Sequence, residues 1–177
     1  MTPAWTSARI HRAFASDLGL DSDFFADKFD RPMATVRLLH YPANPAGERV
    51  GAGVHTDCGA LTLLATDDVG GLEARLRCGL RVAAPPMPGA FIVNIGDWLM
   101  RWINDVYVST PHRVVNRFGR ERCSVAFFFD PNPDALIAAI PSASRRARPR
   151  AIRRSSRRTI SSRGWTQAHR PGSDLRI

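Results

Sequence analysis

A mainly β fold, specifically a double-stranded β-helix or jelly roll, is what this sequence predicts. Three observations lead to it. Short strand-like stretches follow one another from Ala34 to Asp130, and turn signals separate them at Asn44-Pro45, Gly70-Gly71, Pro88-Gly89 and Phe118-Gly119. An H-x-D pair, His55 and Asp57, lies inside this β region with a further histidine, His112, downstream. The mouth of a jelly roll is a common place for a metal.

The elements follow in order. Ile10, Phe14 and Leu18 recur at four-residue spacing, which predicts an amphipathic helix over residues 6–19, ended at Gly19. A second short helical segment is expected around Ser22–Phe29. Strands are expected at Ala34–Tyr41 (closed by Pro42), Val50–Thr56, Leu61–Thr66, Leu72–Leu76, Arg81–Ala83, Ala90–Ile95, Tyr107–Thr110, Arg113–Asn116 and Arg122–Asp130. Asp97 is placed to N-cap a brief helix reaching Trp102. The expected organisation is an N-terminal helical segment over 1–33, the jelly-roll domain over 34–140, and a disordered arginine-rich tail over 141–177.

Composition narrows the function classes. The 177 residues, 44% of them hydrophobic, suffice for one domain with a core. No apolar run approaches the ~20 residues of a spanning helix, and residues 1–10 lack a secretory pattern, so the expected location is the cytoplasm. Cys58, Cys78 and Cys123 are odd in number with no C-x-x-C spacing, which argues against a disulfide framework and predicts small buried or half-buried thiols. The formal charge of +9 divides unevenly: residues 1–140 hold 14 Lys+Arg against 15 Asp+Glu, and residues 141–177 hold 11 Arg against one Asp. The basic pI is therefore a property of the tail. Only Trp165 offers stacking there, so nucleic acid is not an expected partner; a small molecule is.

The chemistry rests on His55, Asp57 and His112. Positions i and i+2 of a strand project from one face, so the His55 imidazole and Asp57 carboxylate are expected to share a space that His112 completes. Two histidines and one carboxylate leave three coordination positions open, an arrangement suited to non-haem Fe(II) that must bind an organic ligand and O2. Arg122 and Ser124 form a second i, i+2 pair, with Ala126 and Phe128 continuing the same face. A surface salt bridge from Arg122 to Glu121 or Asp130 is the competing reading. His40 is expected to face away from its neighbour Tyr41 as a packing residue, Cys58 away from the metal, and His11 and His169 lack comparable partners. Trp98, Met100 and Trp102 fit the core or rim, and Asn104 receives no catalytic role.

Five blocks, Gly51–Leu64, Val69–Glu73, Pro88–Asp97, Tyr107–Asn116 and Arg122–Phe129, resemble in order a bacterial member of the isopenicillin N synthase-like Fe(II)/2-oxoglutarate oxygenase family, across about residues 8–140. The resemblance implies Fe(II) on His55, Asp57 and His112, with Arg122, Ser124 and Tyr41 holding the distal carboxylate of 2-oxoglutarate. A guanidinium fork and a hydroxyl suit that carboxylate. The implied activity is a dioxygenase reaction: O2 and 2-oxoglutarate are consumed, succinate and CO2 are released, and a C–H bond of an unidentified small molecule is oxidised. Alternatives stay open. Isopenicillin N synthase and aminocyclopropane carboxylate oxidase bind no 2-oxoglutarate, ethylene-forming relatives consume it differently, and an inactive fragment would keep the same triad. Two departures accompany the resemblance. The N-terminal region of relatives is missing before Met1, and the expected R-Y-P-P and D-Y-L segments are replaced by the arginine-rich run. Permissible codons for Arg150–Trp165, read in a shifted frame, spell R-Y-P-P-I-L followed by A-A-D-Y-L-L-A-R-L, the pattern expected of a frameshifted C-terminus.

Overall fold

The computed structural model describes residues 3–44 and 49–141, so the predicted tail, beyond Pro141, lies outside the described residues. Helix α1 (Pro3–Asp17) opens the chain, and a 3-10 turn at Ala26–Lys28 follows within the second predicted helical segment. The strands are β1 (Met33–Tyr41), β2 (Arg49–His55), β3 (Leu61–Thr66), β4 (Leu72–Arg75), β5 (Arg81–Ala83), β6 (Ile92–Ile95), β7 (His112–Asn116) and β8 (Arg122–Asp130). Helix α2 (Asp97–Trp102) joins β6 to β7. Two four-stranded antiparallel sheets result, ordered β1-β8-β3-β6 and β2-β7-β4-β5. The mainly β jelly-roll prediction therefore holds.

Alternation along β8 sets the faces of the first sheet. Arg122, Ser124 and Ala126 are buried while Cys123 and Val125 are exposed. Register extends this pattern sideways: Leu39, Ser124 and Thr66 form one rung, and Arg37, Ala126, Leu64 and Ile92 the next. Thr35, Phe128, Thr62 and Asn94 form a third. These rungs line the inner face, toward the second sheet, where the Tyr41 ring lies so close over Gly51 of β2 that a Cβ there would overlap it. On the other face Val36 and Leu38 stay exposed.

The hydrophobic core sits where α1 and α2 meet the strand ends. Ala15, Leu18, Phe25, Ala60, Leu99, Trp102, Ile103 and Ile140 form it. The buried stripe of α1 is Ser7, His11 and Ala15, one position round from the predicted Ile10–Phe14 line. His11, which the sequence left without partners, is 3% exposed, lies 4.2 Å from the Phe29 ring, and bonds through Nδ1 to the Ser7 carbonyl.

Other expectations are corrected. Tyr107–Thr110 is irregular, not a strand. Asn104 and Asp105 adopt positive φ just before it, Pro111 after it has no N–H for a ladder, and the Ser109 N–H is spent on Met100 Sδ. Gly96, not Asp97, is the cap of α2, and Asp97 accepts instead from Thr56 Oγ1. His40 faces away from Tyr41 but into solvent, its Nε2 3.5 Å from Glu121, so it does not pack. Cys78 and Cys123 are exposed, and only Cys58 is half-buried. Among the described residues, no helix is long and apolar enough to cross a membrane.

Candidate metal centre and anion pocket

His55 ends β2 and pairs in register with His112, which starts β7. Their rings stand 4.3 Å apart, and one ligand atom from each of His55, Asp57 and His112 falls within 4.8 Å of the others. His112 Nε2 is 3.9 Å from Asp57 Oδ1. The route to this cluster differs from the predicted one. Because β2 stops at His55, the strand pleat does not carry Asp57; its loop is held from outside. The Asp57 carbonyl accepts from Asp97 N–H, the Gly59 carbonyl from Trp98 N–H, and the Ala60 carbonyl from Gly96 N–H. A Cβ at Gly96 would overlap the Gly59 carbonyl, so glycine there permits the approach.

Hydrogen bonding leaves the ligand atoms free in the sense a metal requires. His55 Nδ1 lies 2.7 Å from the Gly53 carbonyl and His112 Nδ1 3.0 Å from the Thr110 carbonyl. A carbonyl only accepts, so each Nδ1 carries the proton and each Nε2 offers its lone pair. Asp57 Oδ2 accepts from Thr62 Oγ1 at 2.8 Å and Asn94 Nδ2 at 2.6 Å, leaving Oδ1 for a cation. Neutral imidazoles with one carboxylate fit Fe(II).

Thr62 and Asn94 were missed by the sequence reading, although each is a polar residue flanked by apolar ones, in Leu61-Thr62-Leu63 and Val93-Asn94-Ile95. Their pairing across β3 and β6 became visible only in the register. Thr62→Val and Asn94→Ala are each expected to weaken Fe(II) binding about 10- to 100-fold while the protein stays folded. Competition with a calibrated chelator reads this directly; unchanged affinity in both variants would remove their role.

Asp130, at the end of β8, braces the same loop. Its Oδ1 accepts from Ala60 N–H at 2.8 Å, and a Cβ at Gly59 would overlap its carboxylate. Burial chiefly, with the Asp57 charge adding to it and the Ala60 bond opposing, pushes the Asp130 carboxyl up to about 6. Burial holds His11 down to about 4 against its bond to Ser7. The two contributions to stability have opposite signs. The raised Asp130 value favours the fold below about pH 4, and that contribution is lost as pH rises through about 6. The depressed His11 value favours the fold above about pH 6.5, and that contribution is lost as pH falls toward about 4. Each is worth at most ~3 kcal/mol. Asp130→Asn keeps an acceptor for Ala60 and removes one side of the balance. In metal-free protein it is expected to stabilise at pH 7 and then lose stability steadily on acidification to pH 4, where wild type stays nearly level. Urea midpoints across that range check it, and parallel profiles would refute it.

The second cluster lies toward the other end of the inner face. Arg122 is 1% exposed, its Nη1 donates to Ser124 Oγ at 3.3 Å, and its guanidinium carbon stands 4.9 Å over the Tyr41 ring. Its Nε has no partner, and no carboxylate among the described residues pairs with it. The salt-bridge reading fails on both counts, since Glu121 faces His40 and Asp130 faces Ala60. A buried cation without a counter-ion costs several kcal/mol, a cost that an anion joining it would offset. The remaining candidates play packing parts: Trp98 and Trp102 are buried in the core, and Cys58 carries a thiol raised by burial and nearby acids. An open groove of about 420 Å³ beside Gly70, Pro86 and Phe118 contains none of these site residues.

Comparison with known proteins agrees with this picture. Residues 32–131 match the sequence family described as the 2OG-Fe(II) oxygenase superfamily. The 2-oxoglutarate-Fe(II) type oxidoreductase hxnY of Emericella nidulans is 42% identical over 133 residues, 72% of this chain and 38% of that protein. Homoarginine-6-hydroxylase 2-ODD-233 of Oryza sativa subsp. japonica is 42% identical over 141 residues, 76% of this chain and 43% of its own length. A full-length Neurospora crassa protein, solved in complex with alpha-KG and 5-formyluracil, superposes with a TM-score of 0.74 at 38% identity, covering 79% of this chain and 49% of that one. The chain thus spans less than half the length of these relatives.

Proposed function

Because the chain belongs to the 2OG-Fe(II) oxygenase superfamily, we propose that it forms the core of an Fe(II)- and 2-oxoglutarate-dependent dioxygenase that oxidises a C–H bond of a small molecule. His55 and His112 would hold the metal through Nε2 and Asp57 through Oδ1, the atoms their hydrogen bonds leave free. Bound Fe(II) supplies activation of O2, coupled to conversion of 2-oxoglutarate to succinate and CO2. The protein's own residues do the positioning. Thr62 and Asn94 fix the Asp57 carboxylate, and Arg122 with Ser124 receives the distal carboxylate of the co-substrate beside the Tyr41 ring.

The observation that carries the reading is the buried Arg122 without an acid, on the same face as the Thr62 and Asn94 anchors. Their rungs explain the size of ligand. Ser124 and Phe128 are four residues apart on β8, roughly 13 Å, and small Ala126 stands between them. With the Arg122 guanidinium already at Ser124, that gap leaves room for a five-carbon dicarboxylate between it and the rung of Thr62 and Asn94. Anaerobic titration with Fe(II) and then 2-oxoglutarate should produce the weak visible charge-transfer band of the chelate, and air should then release succinate. No band and no succinate would favour a non-catalytic module. The shifted-frame reading of Arg150–Trp165 belongs to the same proposal, and a genomic frame lacking an R-Y-P-P-like segment there would end it.

A further inference from the structure

The second sheet carries a cation pair that neither the metal centre nor the Arg122 pocket uses. Arg75 at the end of β4 and Arg81 at the start of β5 are register partners, so they stand directly opposite each other on one face. That face is the outer one. Ala74, next to Arg75, pairs with both Val82 and His112, so the pleat that turns His112 inward turns the two arginines away from the metal centre. Opposed side chains of an antiparallel pair have Cβ atoms ~4.5–5.5 Å apart, where like charges repel. No acid relieves them. From Leu72 to Ala83 the sequence holds one acid, Glu73, and it already accepts from Arg113 and Arg117. Among the described residues neither Arg75 nor Arg81 has a hydrogen bond or ion pair, and Arg81 Nη1 is buried without an acceptor.

The pair lacks an acceptor and a negative charge, and one group supplies both. We propose that Arg75 and Arg81 form a binding site for a phosphate group on the outer face of the β4–β5 hairpin. Two guanidinium forks on adjacent strands present donors to several oxygens of one tetrahedral group, and a phosphate monoester carries about −1.5 to −2 at pH 7. A carboxylate, with one charge and two oxygens, satisfies one fork only. Access is open, since Arg75 is exposed and β5 is the edge of its sheet. The site also has a route to the metal centre. The Arg75 N–H donates to the Pro111 carbonyl at 2.8 Å, and Pro111 directly precedes His112. A phosphate that clamps β4 to β5 steadies the strand against which His112 is registered.

Inorganic phosphate and phenyl phosphate are the probes, titrated at constant ionic strength into the metal-free full chain and followed by phosphorus NMR and thermal melts. Arg75→Gln and Arg81→Gln are each expected to weaken binding about tenfold, and the double variant about 100-fold. Arg75→Glu carries a sharper signature. It sets an opposite charge across from Arg81, so it should raise the melting temperature without phosphate and remove the further rise that phosphate gives the wild type. Equal affinity for the two probes assigns the site to free phosphate, and tighter binding of phenyl phosphate assigns it to an organic monoester. Two other sets of arginines compete for the same probes and predict different results. Binding that persists in the double variant places the anion on residues 141–177, which hold 11 Arg, and binding lost in Arg122→Met places it in the co-substrate pocket. Either result overturns the assignment, as does a phosphate response that survives Arg75→Glu or the absence of any binding.

Discussion

Arg122→Met is expected to cut 2-oxoglutarate affinity about 100-fold or more and, at the same time, to raise the stability of the ligand-free protein. The two effects share one cause. In the free protein the guanidinium is buried, donates to Ser124 Oγ and stands over the Tyr41 ring, and among the described residues its Nε is unsatisfied. Replacing an uncompensated buried charge with an apolar side chain of similar length removes a desolvation cost. Once a carboxylate enters, the same charge is compensated, and truncating one partner of such a pair costs 2–5 kcal/mol, about 30- to several thousand-fold. Wild type should therefore melt lower than the variant without ligand and gain far more on adding 2-oxoglutarate. Thermal melts with and without the co-substrate measure both. A variant that is destabilised when free and unaltered in its response would mean that Arg122 is a structural residue. Arg122→Lys should fall between, because it keeps the charge and loses the fork.

What could be read in advance follows the range of the interactions involved. β3 and β8 matched their expected bounds, and along β8 alternation is the local signal that makes this possible. The clustering of His55, Asp57 and His112 was also legible, from the H-x-D pair together with the family-like blocks around it. Partners across the sheet were not. Thr62 and Asn94 act through a register that depends on distant strands, and Asp130 supports Asp57 through the backbone at Gly59 and Ala60. His11 was obscured for a different reason. Its burial depends on Phe25, Phe29 and Phe129, brought together from two separate places in the chain. Tyr107–Thr110 has the composition of a strand, yet the left-handed residues before it turn the chain away from any ladder. Strand propensity yielded to backbone geometry there.

Asp57→Asn tests the centre with the smallest change of shape, and Fe(II) affinity is expected to drop by about 10³-fold or more, beyond the 10- to 100-fold loss typical of an outer partner. The amide removes the one negative charge among the three ligands, and its nitrogen would face either the cation or the Asn94 donor. Both orientations are poor: one puts a nitrogen against the metal, and the other sets two N–H groups against each other where a carboxylate now accepts at 2.6 Å. Succinate production should vanish with the metal. The substitution carries a second signature that loss of fold would not produce. The Asp57 charge is one of the causes that raise the Asp130 carboxyl to about 6, so neutralising residue 57 should lower the Asp130 value in the metal-free protein. Carbon-detected NMR of the side-chain carboxyls can follow that titration, and chelator competition can follow the iron. Affinity within tenfold of wild type would remove Asp57 from the ligand set. An unshifted Asp130 would show that burial alone sets its titration.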